Sequence, residues 1–239
     1  MRLRRGLRRG IVLIPAYNEA GSIGTIVAAT RRHWHDPIVV IDDRSRDATA
    51  ALAEQAGATV LRLPLRLGAW GATQTGLRFA YAQGYTHAVT LDADGQHRPC
   101  DIGDVAAPIL SGDADVAIGA CPSRASLARR FAWSYFRRLS GLSYEDITSG
   151  FRAYNRTAMK LLIRPSATLL DYQDVGVLMI LRRHRLRVHE VSVPMHSRVN
   201  GKSHIFASWR KVAEYMVVTS LLAFAGIGTD GKTKTTEPN

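Results

Sequence analysis

With 239 residues, 46% of them hydrophobic, the chain has the length and composition of one sizeable globular domain, which excludes the disordered and fibrous classes. A formal charge of +12 calls for an anionic partner or surface, with nucleic acid, anionic lipid and a phosphorylated substrate as the candidates. Cys100 and Cys121 form no CxxC pair and sit in no ligand cluster, which excludes a disulfide framework and a zinc site. No apolar run reaches the ~20 residues of a membrane span. The apolar run 11–14 behind the basic start MRLRRGLRRG is too short for a signal peptide, so the expected location is cytoplasmic.

The first two thirds of the chain alternate strand and helix signals. Residues 11–14 are an apolar strand ended by Pro15, and Ile23, Ile26, Val27 and Thr30 then repeat at helical spacing. His33 and His35, flanking Trp34, suit a helix surface. A second strand, 38–41, runs into Asp42 and Asp43; Ser45 and Asp47 are N-cap residues for a helix reaching Ala56. Strands are expected at 59–63, 88–91 and 116–119, with a helix at 72–82. Continuous apolar strands between amphipathic helices predict an α/β fold, a mostly parallel sheet covered on both faces.

Ligands of such sheets bind beyond the carboxyl ends of the strands. There the chain places Tyr17, Asn18 and Glu19 after the first strand, Asp42 and Asp43 after the second, and Asp92 and Asp94 after the fourth. Asp92 and Asp94, spaced i, i+2, fall on one side of an extended backbone and can share a hard cation, with Gln96 as a further oxygen ligand. Mg²⁺ or Mn²⁺ suits so few protein oxygens, because it keeps waters and takes substrate phosphates for its other positions. PAYNE in place of GxGxxG after the first strand argues against a nicotinamide cofactor. Carboxylate-lined strand ends argue against nucleic acid and for a nucleoside diphosphate held with a metal.

IPAYNE (14–19), DDRSRDAT (42–49), DADGQH (92–97), DITSGFRAYNR (146–156) and RVNGKS (198–203) resemble, in order and spacing, the motifs of family 2 glycosyltransferases. Within that family the chain is similar to the polyprenyl-phosphate (dolichyl-phosphate) mannose or glucose synthases. The resemblance implies a GT-A fold over residues 11–225 and an inverting, metal-dependent transfer of a hexose. The donor is a nucleotide diphosphate sugar such as GDP-mannose or UDP-glucose, and the acceptor is a polyprenyl monophosphate. By it, Pro15, Ala16, Tyr17, Glu19, Asp42 and Asp43 line the nucleotide-sugar pocket, and Asp92, Asp94 and Gln96 hold the metal. A lipid phosphate is already anionic, so catalysis rests on aligning two anions. The cations expected to do so are Arg129, Arg130, Arg152, Arg198 and Lys202, with Arg152 and Lys202 also in the catalytic set beside Asp94 and Asp174. Asp174 lies where relatives carry an acidic residue near the acceptor; it either orients the acceptor or anchors a helix. The chain departs from the family pattern at RLGAWG (66–71), where Arg66 replaces a common asparagine and Trp70 is bulky, and at GACPSR (119–124).

Two stretches fit the inner face of a membrane. Residues 127–139, LARRFAWSYFRRL, interleave aromatics with arginines, and 206–225 repeat apolar residues at helical spacing. With the basic segment 1–10 they predict peripheral attachment, and the sequence leaves room for a membrane-anchoring partner protein; 226–239 reads as a disordered tail. Two other readings compete. One is transfer to a glycan hydroxyl with Asp174 as base; the other is a non-catalytic basic protein binding lipid or nucleic acid.

Overall fold

A computed structural model describes residues 9–121, 134, 144–168 and 175–196. Its elements run β1 (Val12–Ala16), α1 (Ile23–His33), β2 (Ile38–Asp42), α2 (Thr49–Gln55), β3 (Thr59–Arg62), α3 (Gly68–Ala82), β4 (His87–Thr90), α4 (Ile102–Ser111) and β5 (Val116–Ala120). After these come β6 (Arg152–Asn155), α5 (Arg156–Leu162), α6 (Val175–Arg183) and β7 (Val188–Ser192). The strands form one seven-stranded sheet in the order β3-β2-β1-β4-β6-β5-β7. Pairings are parallel except around β6, which runs antiparallel to both β4 and β5.

The apolar runs of the sequence are continuous because both sheet faces are covered. Alternation along β1 sends Ile11 and Leu13 into one core and Val12, Ile14 and Ala16 into the other. The first core packs under α3, α5 and α6 through residues such as Leu77, Met159 and Leu178; the second packs under α1 and α4 through Ile23, Val27, Val105 and Ile109. Burying both faces is the main source of stability, at roughly 25 cal/mol per Å² of apolar surface removed from water.

The strands read from the sequence coincide, to within a residue or two, with β1 to β5. Two details differ. α3 begins at Gly68 rather than 72, because the Asp43 carboxylate accepts hydrogen bonds from the N–H groups of Leu67 and Gly68 and satisfies donors at the helix start. Trp70 is fully buried and donates its indole N–H to the carbonyl of Ala167, which explains its bulk as core packing. None of the helices among the described residues is long and apolar enough to cross a membrane.

Candidate active site

The neighbours β2, β1 and β4 bring their carboxyl ends side by side, and the strand order turns outward in both directions from β1. That is the switch point at which an open α/β sheet leaves a crevice. The acidic strand ends predicted from the sequence therefore meet at one edge.

The β1 and β2 loops are stitched together. Ser45 Oγ accepts from the Asn18 N–H at 2.9 Å, Asn18 Oδ1 accepts from the Arg46 N–H at 2.8 Å, and Thr49 Oγ1 accepts from the Glu19 N–H at 2.8 Å. Asn18 adopts the left-handed φ of 54°, which an asparagine tolerates in such a turn. Pro15 and Tyr17 are half-buried and Ala16 is buried. Ser22 Oγ lies within hydrogen-bond distance of both the Glu19 carboxylate (3.0 Å) and the Ala93 carbonyl (2.7 Å), linking the β1 loop to the turn after β4.

Asp42 and Asp43 are 5% and 3% exposed. Asp42 Oδ1 accepts from the Ser45 N–H, whereas both oxygens of Asp43 serve the start of α3. Burial raises the Asp43 carboxyl above its ordinary range, against hydrogen bonds from Leu67 and Gly68 and the pull of Arg66. Arg66, absent from the sequence-derived site, has its guanidinium 4.0 Å from Asp43 and stacked 3.8 Å from the centre of the Tyr17 ring. The signal for it was its departure from the family pattern at a glycine-rich turn.

β4 ends at Thr90, so Asp92 and Asp94 lie in a turn beyond the strand rather than on it. Alternation survives: Ala93 is buried in the core between two half-buried aspartates. Asp94 Oδ1 accepts from the Gln96 N–H at 3.1 Å, Gly95 takes a φ of 76°, and the His196 N–H bonds to the Gln96 carbonyl at 2.8 Å. Among the described residues no group of three or more His, Cys, Asp and Glu side chains could hold a metal by itself. Two carboxylates and an amide are a sparse oxygen set, and the side chain of Asp92 keeps 41% exposure. Such a set fits a hard cation that keeps waters and shares a diphosphate, and does not fit an all-protein cage.

The DITSGFR segment forms the neighbouring wall. Thr90 Oγ1 donates to the Gly150 carbonyl at 2.7 Å, and Ser149 Oγ donates to the Gly119 carbonyl at 2.6 Å. Asp146, almost fully buried, accepts from the backbone N–H groups of Cys121 and Thr148. Arg152, expected to meet the acceptor phosphate, is 0% exposed; its Nε and Nη2 each donate at 2.9 Å, to the carbonyls of Ser149 and Ile147. Buried with these two bonds, Arg152 braces the 147–149 turn, while its Nη1 has no hydrogen-bond partner. Asp174, Arg129, Arg130, Arg198 and Lys202, the stretches 127–139 and 206–225, and the tail lie outside the described residues.

Residues 11–168 match the family model "Glycosyl transferase family 2". The chain is 29% identical to a UDP-N-acetylglucosamine–dolichyl-phosphate N-acetylglucosaminyltransferase of Methanococcus voltae, over 76% of this chain and 83% of that protein. It is 32% identical to the polyprenol monophosphomannose synthase of Mycolicibacterium smegmatis over 65% of each. Crystal structures of glucosyl-3-phosphoglycerate synthase from Mycobacterium tuberculosis are similar in fold. With phosphoglyceric acid the TM-score is 0.73 at 20% identity, covering 90% of this chain and 80% of that one. With Mn²⁺, UDP and glucosyl-3-phosphoglycerate it is 0.69 at 21%, covering 94% and 82%. Matched over most of its sheet and over the acidic strand ends alike, the chain belongs to glycosyl transferase family 2 and is a glycosyltransferase of GT-A fold.

Proposed function

We propose that the protein transfers a hexose or N-acetylhexosamine, with inversion, from a nucleotide diphosphate sugar to a polyprenyl monophosphate, and that the transfer depends on Mg²⁺ or Mn²⁺. The observation that carries this reading is the meeting of the Tyr17–Glu19, Asp42–Asp43 and Asp92–Gln96 segments at one sheet edge. The names of the relatives support the acceptor class, since both act on polyprenyl or dolichyl phosphate.

Pro15, Ala16, Tyr17, Glu19 and Asp42 line the nucleotide side, with Asp43 shaping it from behind through α3. Asp92, Asp94 and Gln96 would hold the cation. When bound, the cation stabilises the charge that develops on the departing nucleoside diphosphate. A lipid phosphate needs no strong base, so the protein's task on that side is to align it with the anomeric carbon. Lys202, Arg198, Arg129 and Arg130 are the cations the sequence offers for this, with Asp174 beside them. The +12 charge and the aromatic-arginine stretch 127–139 support peripheral attachment at the cytoplasmic face of a membrane, with a partner protein as a further anchor.

Calorimetric titration of UDP and GDP with and without Mn²⁺ tests the donor half. One nucleotide is expected to bind, and Mn²⁺ to tighten it at least about tenfold. Binding of neither nucleotide contradicts the reading.

A further inference from the structure

A buried histidine stands beside the Asp92–Gln96 turn. His97, the last residue of DADGQH, is 3% exposed, and neither ring nitrogen has a hydrogen-bond partner. An imidazole shut away from water with both nitrogens unpaired is uncommon in folded proteins, and it points to a partner engaged only in a functional state. Its Nε2 lies 3.6 Å from Oδ2 of Asp92, too long for a hydrogen bond and a small displacement from one.

The ring is fixed from other directions. It packs on Phe151 with ring centroids 5.1 Å apart, and the His97 backbone bridges to Met195 just past β7. Phe151 and Gly150 belong to the same TSGF turn, and Gly150 lies against the Asp92 carboxylate. A Cβ there would overlap both carboxylate oxygens and stand 2.7 Å from Cγ. His97 also lines a cavity of about 380 Å³ beside α1, together with Ser22, Thr25, Ile26 and Gly95.

We infer that His97 is a positioning residue for Asp92. The imidazole, held by Phe151 and the Met195 bridge, orients the carboxylate through Nε2–H, while the bare Cα of Gly150 leaves the carboxylate room to sit where it does. The inference rests on the reading that Asp92 ligates a divalent cation. Hydrogen bonding of a ligand by a group behind it is the usual way a sparse metal site is kept in register, and its loss costs roughly 10–100-fold in metal affinity.

The test is calorimetric binding of UDP or GDP, whichever the full-length protein binds, at zero and saturating Mn²⁺. Glutamine places its amide nitrogen where Nε2 stands, asparagine places it at Nδ1, and methionine supplies bulk without a donor. His97→Gln is expected to keep the Mn²⁺-dependent gain in nucleotide affinity within about threefold of wild type, while His97→Asn and His97→Met lose about tenfold or more. Metal-free nucleotide affinity is expected to stay the same in all three. Gly150→Ala, whose Cβ crowds the Asp92 carboxylate, is expected to lose the gain too, and it decides the matter if the His97 variants do not fold. A wild-type protein without any Mn²⁺-dependent gain overturns the metal reading and this inference together. A wild-type gain kept by Asn, Met and Gly150→Ala alike, or lost as fully in Gln as in Met, overturns the inference alone.

Discussion

Arg152→Lys separates a structural arginine from an acceptor contact. The guanidinium makes two hydrogen bonds of 2.9 Å to the carbonyls of Ile147 and Ser149 in a site with no exposure. Bonds from a charged donor contribute about 1.5–3 kcal/mol each. A lysine keeps the charge but lacks the fork that reaches both carbonyls, so one buried acceptor is left unpaired. The expected loss is about 2 kcal/mol, which in a chain of this size lowers the thermal midpoint by about 4–8 °C. Thermal unfolding and acceptor kinetics on the folded protein read the two roles separately. The structural account expects the lower midpoint with an unchanged KM for polyprenyl phosphate. An unchanged midpoint with a KM raised about tenfold or more would refute it and return Arg152 to the acceptor site.

Asp94→Ala removes the carboxylate proposed as a metal ligand, which also holds the Gln96 N–H, and transfer is expected to fall by about two orders of magnitude or more at saturating Mn²⁺; near-wild-type turnover would remove the turn from the chemistry. Stability should fall in acid through Asp47 and Asp115. Burial alone would raise both, but hydrogen bonds from Thr49 and Ala20 to Asp47, and from Arg187 and Asn155 to Asp115, hold both below the ordinary range. Their contribution is complete above the unfolded value of about 4 and is lost as pH falls below it through the folded values. Asp43 is shifted the other way, so as pH falls towards about 4 its protonation favours the folded state. The thermal midpoint should therefore drop only below about pH 4, and Asp115→Asn should flatten that drop; an identical acid limb in the variant would contradict the assignment. Thr90→Val keeps the shape of a buried side chain but leaves the Gly150 carbonyl without its 2.7 Å partner, with an expected cost of about 1–2 kcal/mol in urea unfolding.

The strand ends that build the cleft were legible because two of the three apolar runs stop at a carboxylate and the third at the polar PAYNE turn, and sheet chemistry puts such stops at one edge. β6 was not, since RAYN is short and half polar and its antiparallel insertion between β4 and β5 is a long-range pairing. The burial of Arg152 was hidden for a related reason. A cation in a motif shared with phosphate-handling enzymes reads as a contact, and only the pairing of β6 with Thr90 and Ile118 shows it to be interior. Asp43 likewise reads as a ligand-facing acid until α3 folds back onto it. His97 was visible only as the end of a motif; its packing on Phe151 joins segments more than fifty residues apart in sequence.

The most direct measurement is turnover by the purified protein with Mn²⁺ or Mg²⁺ and a short polyprenyl phosphate, supplying GDP-mannose, UDP-glucose and UDP-N-acetylglucosamine in separate reactions. A glycolipid product from one donor, abolished by EDTA, is the predicted result. Turnover that persists in EDTA, or transfer only to a hydroxyl acceptor, would contradict the account.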